Sequence, residues 1–517
     1  MNLLNIHNQK RLVYLFTRDK NDELSIIKDN TFYPYYYEIV DLNRYNSAVE
    51  YTYDNLPVKK IICSEPRDVG QQRTVNSYEA DILFTKRYII DKVDKFDKTL
   101  IKYLFLDIEV LSKEMPDPYE AKDTISCITI YNSLYKNIQT WFLPDFKSEQ
   151  EMLDDFVEYI KNEEIDVIFA WNMEFDYVYL FKRIQNFAKR ISPIAQARYS
   201  DLQDILYPAG ISIMDYMSMF KKIYMQEQSY ALDKIAQKYL NEQEWKVTTF
   251  GVLDNTVKEK NINDINRLIK LEQKFNIINY YDEIRRFATC LWEDLISNSR
   301  VLDMIVLREA KKRKLILPNK QKRTGEDELQ GAYRRAEVGV FYDIYKADVA
   351  SMYPNQLINF CLDIQNIRLN PDEDTINIDG VHIAQHPTAL LPSISKDLIQ
   401  RKNAIKTELK AIKDHNSEQY IITQNKYNAC KALVNSLYGV MAFPSFRLYS
   451  NVLASKITFL ARELLMFAEE KMKEIGYEVI YTDTDALMYK ADKDETDLLN
   501  QLVTKWAKEK YNKDDID

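Results

Sequence analysis

Twice in this chain a pair of carboxylates stands inside a run of strand-forming residues. The first is YLFLDIEVL (103–111), with Asp107 and Glu109, and the second is YTDTDALMY (481–489), with Asp483 and Asp485. On a strand, residues two apart project from the same face. Each pair therefore sets like charges in close range, where carboxylates raise one another's pKa unless divalent cations sit between them. A third acid, Asp348, follows the strand-like YDIYK. If that strand neighbours 481–489, Asp348 and Asp485 converge on one point. Hard oxygen donors of this kind favour Mg²⁺, which takes one or two carboxylates together with substrate phosphates. A polar β-turn is the plainer reading of YTDTD taken alone.

A chain of 517 residues exceeds one hydrophobic core and predicts several domains. Its formal charge of −9 argues against bulk electrostatic binding of a polyanion and leaves room for a local basic groove. KKRK (311–314) and NKQKR (319–323) are the local basic patches, and solvated helix faces explain them equally well. Five cysteines lie far apart, with no CxxC pair and no clustering with the four histidines, which argues against a structural zinc site and predicts reduced thiols. MNLLNIHNQK lacks the apolar core of a signal peptide, and no run approaches ~18 apolar residues. The expectation is a soluble, intracellular (cytoplasmic) protein, without a membrane partner.

Alternating apolar and polar runs predict strands over most of residues 1–99. DVIFAWN (166–172) reads as a buried strand with helical periodicity after it from Phe175, and strand–helix alternation to residue 288 predicts an α/β domain. A helix is expected over 290–316, stopped by Pro318, then a strand within 341–350. Helices are expected over 395–413 and 418–438, joined by a polar turn at Asp414-His415-Asn416, and over 453–475. Within KALVNSLYG (431–439), Lys431, Asn435 and Tyr438 fall at i, i+4 and i+7 on one helix face. A lysine, an amide and an aromatic in line suit phosphate, sugar and base; an ordinary polar stripe is the bland alternative.

DVASMYP (348–354), KALVNSLYG and YTDTD (481–485) are similar, in order and spacing, to the three polymerase motifs of the family B DNA polymerases. The resemblance runs from about residue 100 to the end of the chain. It implies an α/β multidomain (α+β) architecture. A mixed-β N-terminal domain occupies 1–99 and an RNase H-like 3′–5′ exonuclease domain 100–288. A palm with an antiparallel sheet falls in two parts (289–392 and 441–517), around a two-helix fingers domain (393–440). It further implies that Asp348, Asp485 and the backbone carbonyl of Val349 hold two Mg²⁺ ions, with Mn²⁺ as a substitute, and that Asp483 is a supporting catalytic carboxylate. Lys431 binds the incoming triphosphate, with Ser351 and Asn435 among the nucleotide contacts. Tyr438 packs beneath the nascent pair, Gly439 lets the template approach, and Tyr353 is the steric gate against a 2′-hydroxyl. In IQRKNAIK (399–406), Lys402 and Lys406 meet the phosphates; the family's arginine corresponds to Lys402 or to its neighbour Arg401. Ala486 stands where the family usually has serine.

FLDIEV and WNMEFD resemble the first two motifs of the exonuclease that accompanies these polymerases, with Asp107, Glu109 and Asp176 as metal ligands and Asn172 and Phe175 beside them. The third motif is normally YxxxD on a helix. FNIIN is taken as its counterpart, with Phe275 and Asn279 in place of tyrosine and aspartate and Asp282 one turn on as a substitute. That predicts weak or absent proofreading. SYALDKIAQKYL (229–240) reads as structural, and LQGAYR (329–334) as a loose match to the YxGG linker, with Leu329 and Ala332 departing from it.

The short stretch between Asp348 and the fingers predicts a nucleic-acid primer. The chain runs only from Asp485 to Asp517 beyond its last motif, without the family's lysine-tyrosine motif or helical thumb, so a fragment or a second thumb-supplying polypeptide is expected. The partners implied are primer-template DNA, dNTPs and a clamp or other replisome proteins. Two other classes remain open: a catalytically silent DNA-binding or replication-scaffold subunit, and a stand-alone nuclease.

Overall fold

The run YLFLDIEVL becomes the middle strand of a five-stranded sheet, as its near-continuous apolar character requires. A computed structural model describes residues 1–41, 50–200, 204–224, 226–243, 251–321, 330–415 and 417–513. Lys322, Arg323, Leu329, Asn416 and residues 514–517 lie outside the described residues. The chain divides into two compact units, the first formed by 1–34, 63–66 and 83–297, the second by 35–62, 67–82 and 298–517. Residues 1–99 are thus shared between the units.

In the first unit the sheet order is Asn137–Phe142, Thr124–Asn132, Tyr103–Leu111, Val167–Ala170, Ser212–Asp215. The first three strands are antiparallel and the last two run parallel to Tyr103–Leu111. This is the RNase H-like order. Helix Glu149–Asn162 covers the sheet with Met152, Leu153, Phe156, Val157 and Ile160 buried, and Ser148 caps it by accepting from the Glu151 N–H. Helix Asn255–Phe275 starts at Asp254, whose side chain accepts from the Thr256 N–H at 2.8 Å, and ends at Asn276 in the left-handed region. A separate antiparallel sheet, Leu3–Gln9, Leu12–Arg18 and Leu24–Asp29, belongs to the same unit.

The second unit carries a four-stranded antiparallel sheet in the order Arg334–Ala336, Glu478–Asp483, Ala486–Lys490, Ile344–Asp348. Helix Asn451–Glu474 packs on it, contributing Ala468 and Met472 to a core with Ala347, Val479, Leu487 and Tyr489. Two long antiparallel helices, Leu390–Ala411 and Glu418–Met441, form the predicted fingers hairpin. The expected helix 290–316 is shorter, Asn298–Lys312, because Trp292–Asp294 forms a separate 3₁₀ turn. Two residues of the basic patches serve structure. Arg313 pairs with Glu309 and donates to the Thr388 carbonyl, and Lys320 pairs with Asp303.

Candidate active sites

The hairpin of YTDTDALMY delivers Asp485 to Asp348. Asp348 ends its strand in register with Ala486, and the Val349 N–H donates to the Asp485 carbonyl at 2.8 Å. Burial pushes the Asp485 carboxyl up, and the neighbouring Asp348 charge pushes it further while Lys346 opposes the rise. Lys346 also reaches Asp348 Oδ2 at 3.2 Å.

One sequence expectation needs correction here. Asp483 and Asp485 do not share a strand face, because the strand stops at Asp483 and Thr484 turns the chain at φ +57°. Asp483 Oδ1 instead pairs with Arg334 Nε at 2.7 Å and accepts from Thr484 Oγ1, and Oδ2 accepts from the Tyr481 hydroxyl. Those hydrogen bonds, with the Arg334 charge, hold the Asp483 carboxyl below its ordinary range. Ala486, buried in the same hairpin, leaves a methyl where a hydroxyl would stand.

The fingers helices bring cations toward these acids. Lys402 Nζ donates to Ser351 Oγ at 2.5 Å, and Ser351 sits at φ +52° at the start of helix Met352–Asn359. Burial first, then the like charges of Lys406 and Lys431, push the Lys402 amine below its ordinary value. Three ammonium groups that repel one another describe a place for an anion. Arg401 points elsewhere, pairing with Asp397 at 2.9 Å on an exposed face. On helix Glu418–Met441, Lys431 and Asn435 are exposed and Tyr438 half-buried, while Leu433, Val434, Leu437 and Val440 bury the other face. The Tyr438 and Tyr353 rings stack at 4.5 Å, and the Tyr353 hydroxyl is raised by burial and then by Asp485. No protein atom lies within 4 Å of the Cβ that a side chain at Gly439 would add, so intrachain packing does not demand glycine there. Residues 330–333 lie against the Asp483–Ala486 turn and helix Asn451–Glu474: the Tyr333 carbonyl accepts from the Thr484 N–H, and the Gln330 and Gly331 carbonyls accept from Arg462.

In the first unit, Asp107, Glu109 and Asp264 place carboxylate oxygens within 4.8 Å of one another, a spacing that could hold a metal ion. It is the group of that kind found among the described residues. Asp176, fully buried, accepts from the Ile108 N–H at 3.1 Å, and burial foremost pushes its carboxyl up to about 8. Burial, then the charges of Asp176, Asp264 and Glu109, push Asp107 well above its usual range. Phe175 packs against the sheet core and Asn172 is exposed at the start of helix Met173–Arg183, in the left-handed region.

FNIIN is not brought to the carboxylate cluster. Phe275 packs, half-buried, in an aromatic cluster with Phe220, Tyr224 and Tyr239, and Asn279 lines a separate cavity with Glu272 and Asp282. Asp282 is held by Arg285 and Arg286. The acid that joins the cluster is Asp264, in KNIND (260–264), which the sequence reading missed. The signal was there: Lys260 and Asp264 have the i, i+4 spacing of YxxxD, with lysine in the tyrosine's place. SYALDKIAQKYL contributes helix Leu232–Leu240 and the Tyr230 carbonyl, which accepts from Trp171 Nε1, in keeping with a structural part.

An RNase H-like sheet and a palm-type antiparallel sheet within one chain are the architecture of a DNA polymerase that carries an exonuclease domain. The sequence model of DNA polymerase family B matches residues 296–514, and that of the family's exonuclease domain matches 69–235. The chain belongs to the family B DNA polymerases. A DNA polymerase of Pyrococcus glycovorans is 24% identical over 553 aligned residues, covering 92% of this chain and 69% of its own length. The DNA-directed DNA polymerase of Escherichia phage RB69 is 22% identical, covering 77% of this chain and 59% of its own. The structure of the family B DNA polymerase from Pyrobaculum calidifontis superposes with a TM-score of 0.78 at 20% identity, across the whole of this chain and 78% of that one, a likeness of fold. No helix among the described residues is long and apolar enough to cross a membrane.

Proposed function

We propose that this chain adds dNTPs to a primer 3′-hydroxyl on a DNA template, at a site built from Asp348, Asp485 and the lysines of the fingers hairpin. The observation that carries it is the junction at which the Val349 N–H meets the Asp485 carbonyl and sets two carboxylates side by side. The donor set fits divalent cations: two carboxylates and a backbone carbonyl are hard oxygens, and among the described residues the cation set against Asp348 and Asp485 is the half-exposed Lys346. Two Mg²⁺ ions, or Mn²⁺ in their stead, would supply activation of the hydroxyl and neutralisation of the departing pyrophosphate. Lys402, Lys406 and Lys431 then hold the triphosphate, Ser351 and Asn435 orient it, and the stacked Tyr353 and Tyr438 bear on sugar and base. The palm divided as 289–392 and 441–517 around fingers at 393–440, and a nucleic-acid rather than a protein primer, belong to the same proposal. Primer extension with dNTPs and Mg²⁺ tests it; an active-site preparation that binds primer-template yet incorporates nothing with either metal favours the silent-scaffold reading. Extension alone, compared with extension alongside polypeptides that add duplex contacts or a clamp, measures how much of the grip lies outside this chain.

Two substitutions separate the nucleotide contacts. Lys402→Ala raises the KM for dNTP by about 10- to 100-fold, the factor that a charge-assisted hydrogen bond of roughly 1.5–3 kcal/mol carries. Arg401→Ala changes KM by less than about twofold, since its guanidinium already serves Asp397 on an exposed face. Steady-state single-nucleotide incorporation gives both constants, and the reverse ranking would transfer the phosphate contact to Arg401. Tyr353→Ala relaxes discrimination against ribonucleotides by roughly 10- to 100-fold, which is what relief of ~1–3 kcal/mol of steric overlap yields. Competing dATP and ATP incorporation by one preparation measures it; an unchanged ratio assigns Tyr353 to packing against Tyr438 alone.

A further inference from the structure

We infer that Lys260 is a built-in counter-ion that fills the metal place of the exonuclease-type site, so that the unsubstituted chain neither binds divalent metal there nor trims DNA. The inference rests on reading the first unit as an exonuclease fold, and it concerns what this chain has put at the centre of that fold.

Three observations carry it. Helix Asn255–Phe275 aims Lys260 and Asp264 at the sheet, and Lys260 Nζ forms ion pairs with Glu109 and, at 3.1 Å, with Asp264 Oδ2. The other oxygen of Asp264, Oδ1, is held by Arg267 Nη1 at 2.8 Å. Asp107 Oδ2 accepts from the wholly buried Asn261 Nδ2 at 2.5 Å. Asp107, Glu109 and Asp264 therefore each already have a donor from this one helix, while Asp176 accepts from the Ile108 N–H of the sheet. The site does not fit a divalent ion as it stands, although its carboxylate spacing does.

The chemistry of the exchange explains why the lysine prevails. A tyrosine at position 260 would offer a neutral hydroxyl and leave the carboxylates' charge for a metal. A lysine brings a full positive charge on a tether, and a tethered group competes at an effective concentration in the millimolar range or above. Mg²⁺ must also shed tightly held water to enter, a cost the ammonium does not meet in the same degree.

The test uses the full chain with Asp348→Asn and Asp485→Asn, which silences the other carboxylate pair. Mn²⁺ binding is read from the loss of the free-ion EPR signal and from melting temperature. The expected result is no Mn²⁺ site in this background and no change on adding Asp107→Asn. Adding Lys260→Met instead creates a site that binds Mn²⁺ about tenfold or more tighter than the background. Asp107→Asn then abolishes it. Lys260→Tyr gives the same gain and serves if the methionine variant does not fold without metal. Mn²⁺ bound in the background and lost with Asp107→Asn overturns the inference with no change at Lys260 required, as does metal-dependent trimming of single-stranded DNA by the unsubstituted chain that Asp107→Asn removes. If Lys260→Tyr binds Mn²⁺ but trims nothing, the counter-ion role stands and the nuclease reading of the unit fails.

Discussion

Replacing Asp485 by asparagine lowers nucleotide incorporation by on the order of 10³-fold with little change in the KM for dNTP, since several kcal/mol of transition-state charge stabilisation is lost. The size of the effect follows from geometry. Asp485 sits in a two-residue turn with its carboxyl raised by burial and by Asp348, and among the described residues Lys346 is the cation that opposes that rise. An amide in its place removes one of the two negative charges on which the reaction's cations depend. Asp348→Asn has the same consequence. Asp483→Asn is the internal control. Its oxygens are engaged by Arg334, Tyr481 and Thr484, so its substitution costs about tenfold through disturbance of the hairpin rather than loss of a ligand. Single-turnover incorporation by the three variants ranks them. A loss at Asp483 equal to that at Asp485 would move the chemistry from the turn to the strand end and sink the assignment.

The second large effect is on stability. Arg447 is buried, pairs with Asp303 at 3.0 Å and with Asp81 at 2.8 Å, and donates to the Pro318 carbonyl. Arg447→Leu leaves Asp303 buried with Lys320 as its one cationic partner among the described residues. Breaking a buried pair on one side costs about 3–5 kcal/mol, or a fall of roughly 10 °C in the melting of a unit this size. The sign of the pH dependence is a separate check. Burial pushes the Asp303 carboxyl up, but Arg447 and Lys320 more than offset it, so its folded pKa lies below the unfolded one. Its contribution is thus present above the ordinary carboxylate pKa of about 4 and is lost as pH falls through the lower folded value. The parent chain should lose nothing on this account between neutral pH and pH 5. In Arg447→Leu burial dominates instead, the carboxyl rises, and acidification from neutrality recovers part of the lost melting temperature. A variant melting within about 2 °C of the parent would show the network to be dispensable.

Much of this was legible in the residues. Near-continuous apolar runs marked the central strand Tyr103–Leu111, and amphipathic periodicity marked the helices of the fingers to within about five residues at their ends. Asp348, Lys431 and Asp485 stood out because their chemistry is local: a charged group beside strand formers, or a lysine in line with an amide and an aromatic. Asp264 did not stand out. A search for tyrosine before the acid passes over KNIND, and FNIIN offered an aromatic at the right spacing whose ring proves to serve the packing of Phe220, Tyr224 and Tyr239. Arg447 was equally invisible, since its partners lie at positions 81 and 303.

By itself the amino-acid order determined which segments alternate between strand and helix, and which carry the acids and lysines of the proposed phosphoryl-transfer site, because periodicity and residue chemistry act over a few neighbours. Tertiary structure alone decided that Asp483 turns to Arg334 while Asp485 turns to Asp348, that Lys402 rather than Arg401 faces Ser351, and that Lys260 lies among the carboxylates of the other unit. Those outcomes depend on which charges a fold brings within a few ångströms of each other. Burial then magnifies each such meeting, by removing the water that would otherwise have screened it.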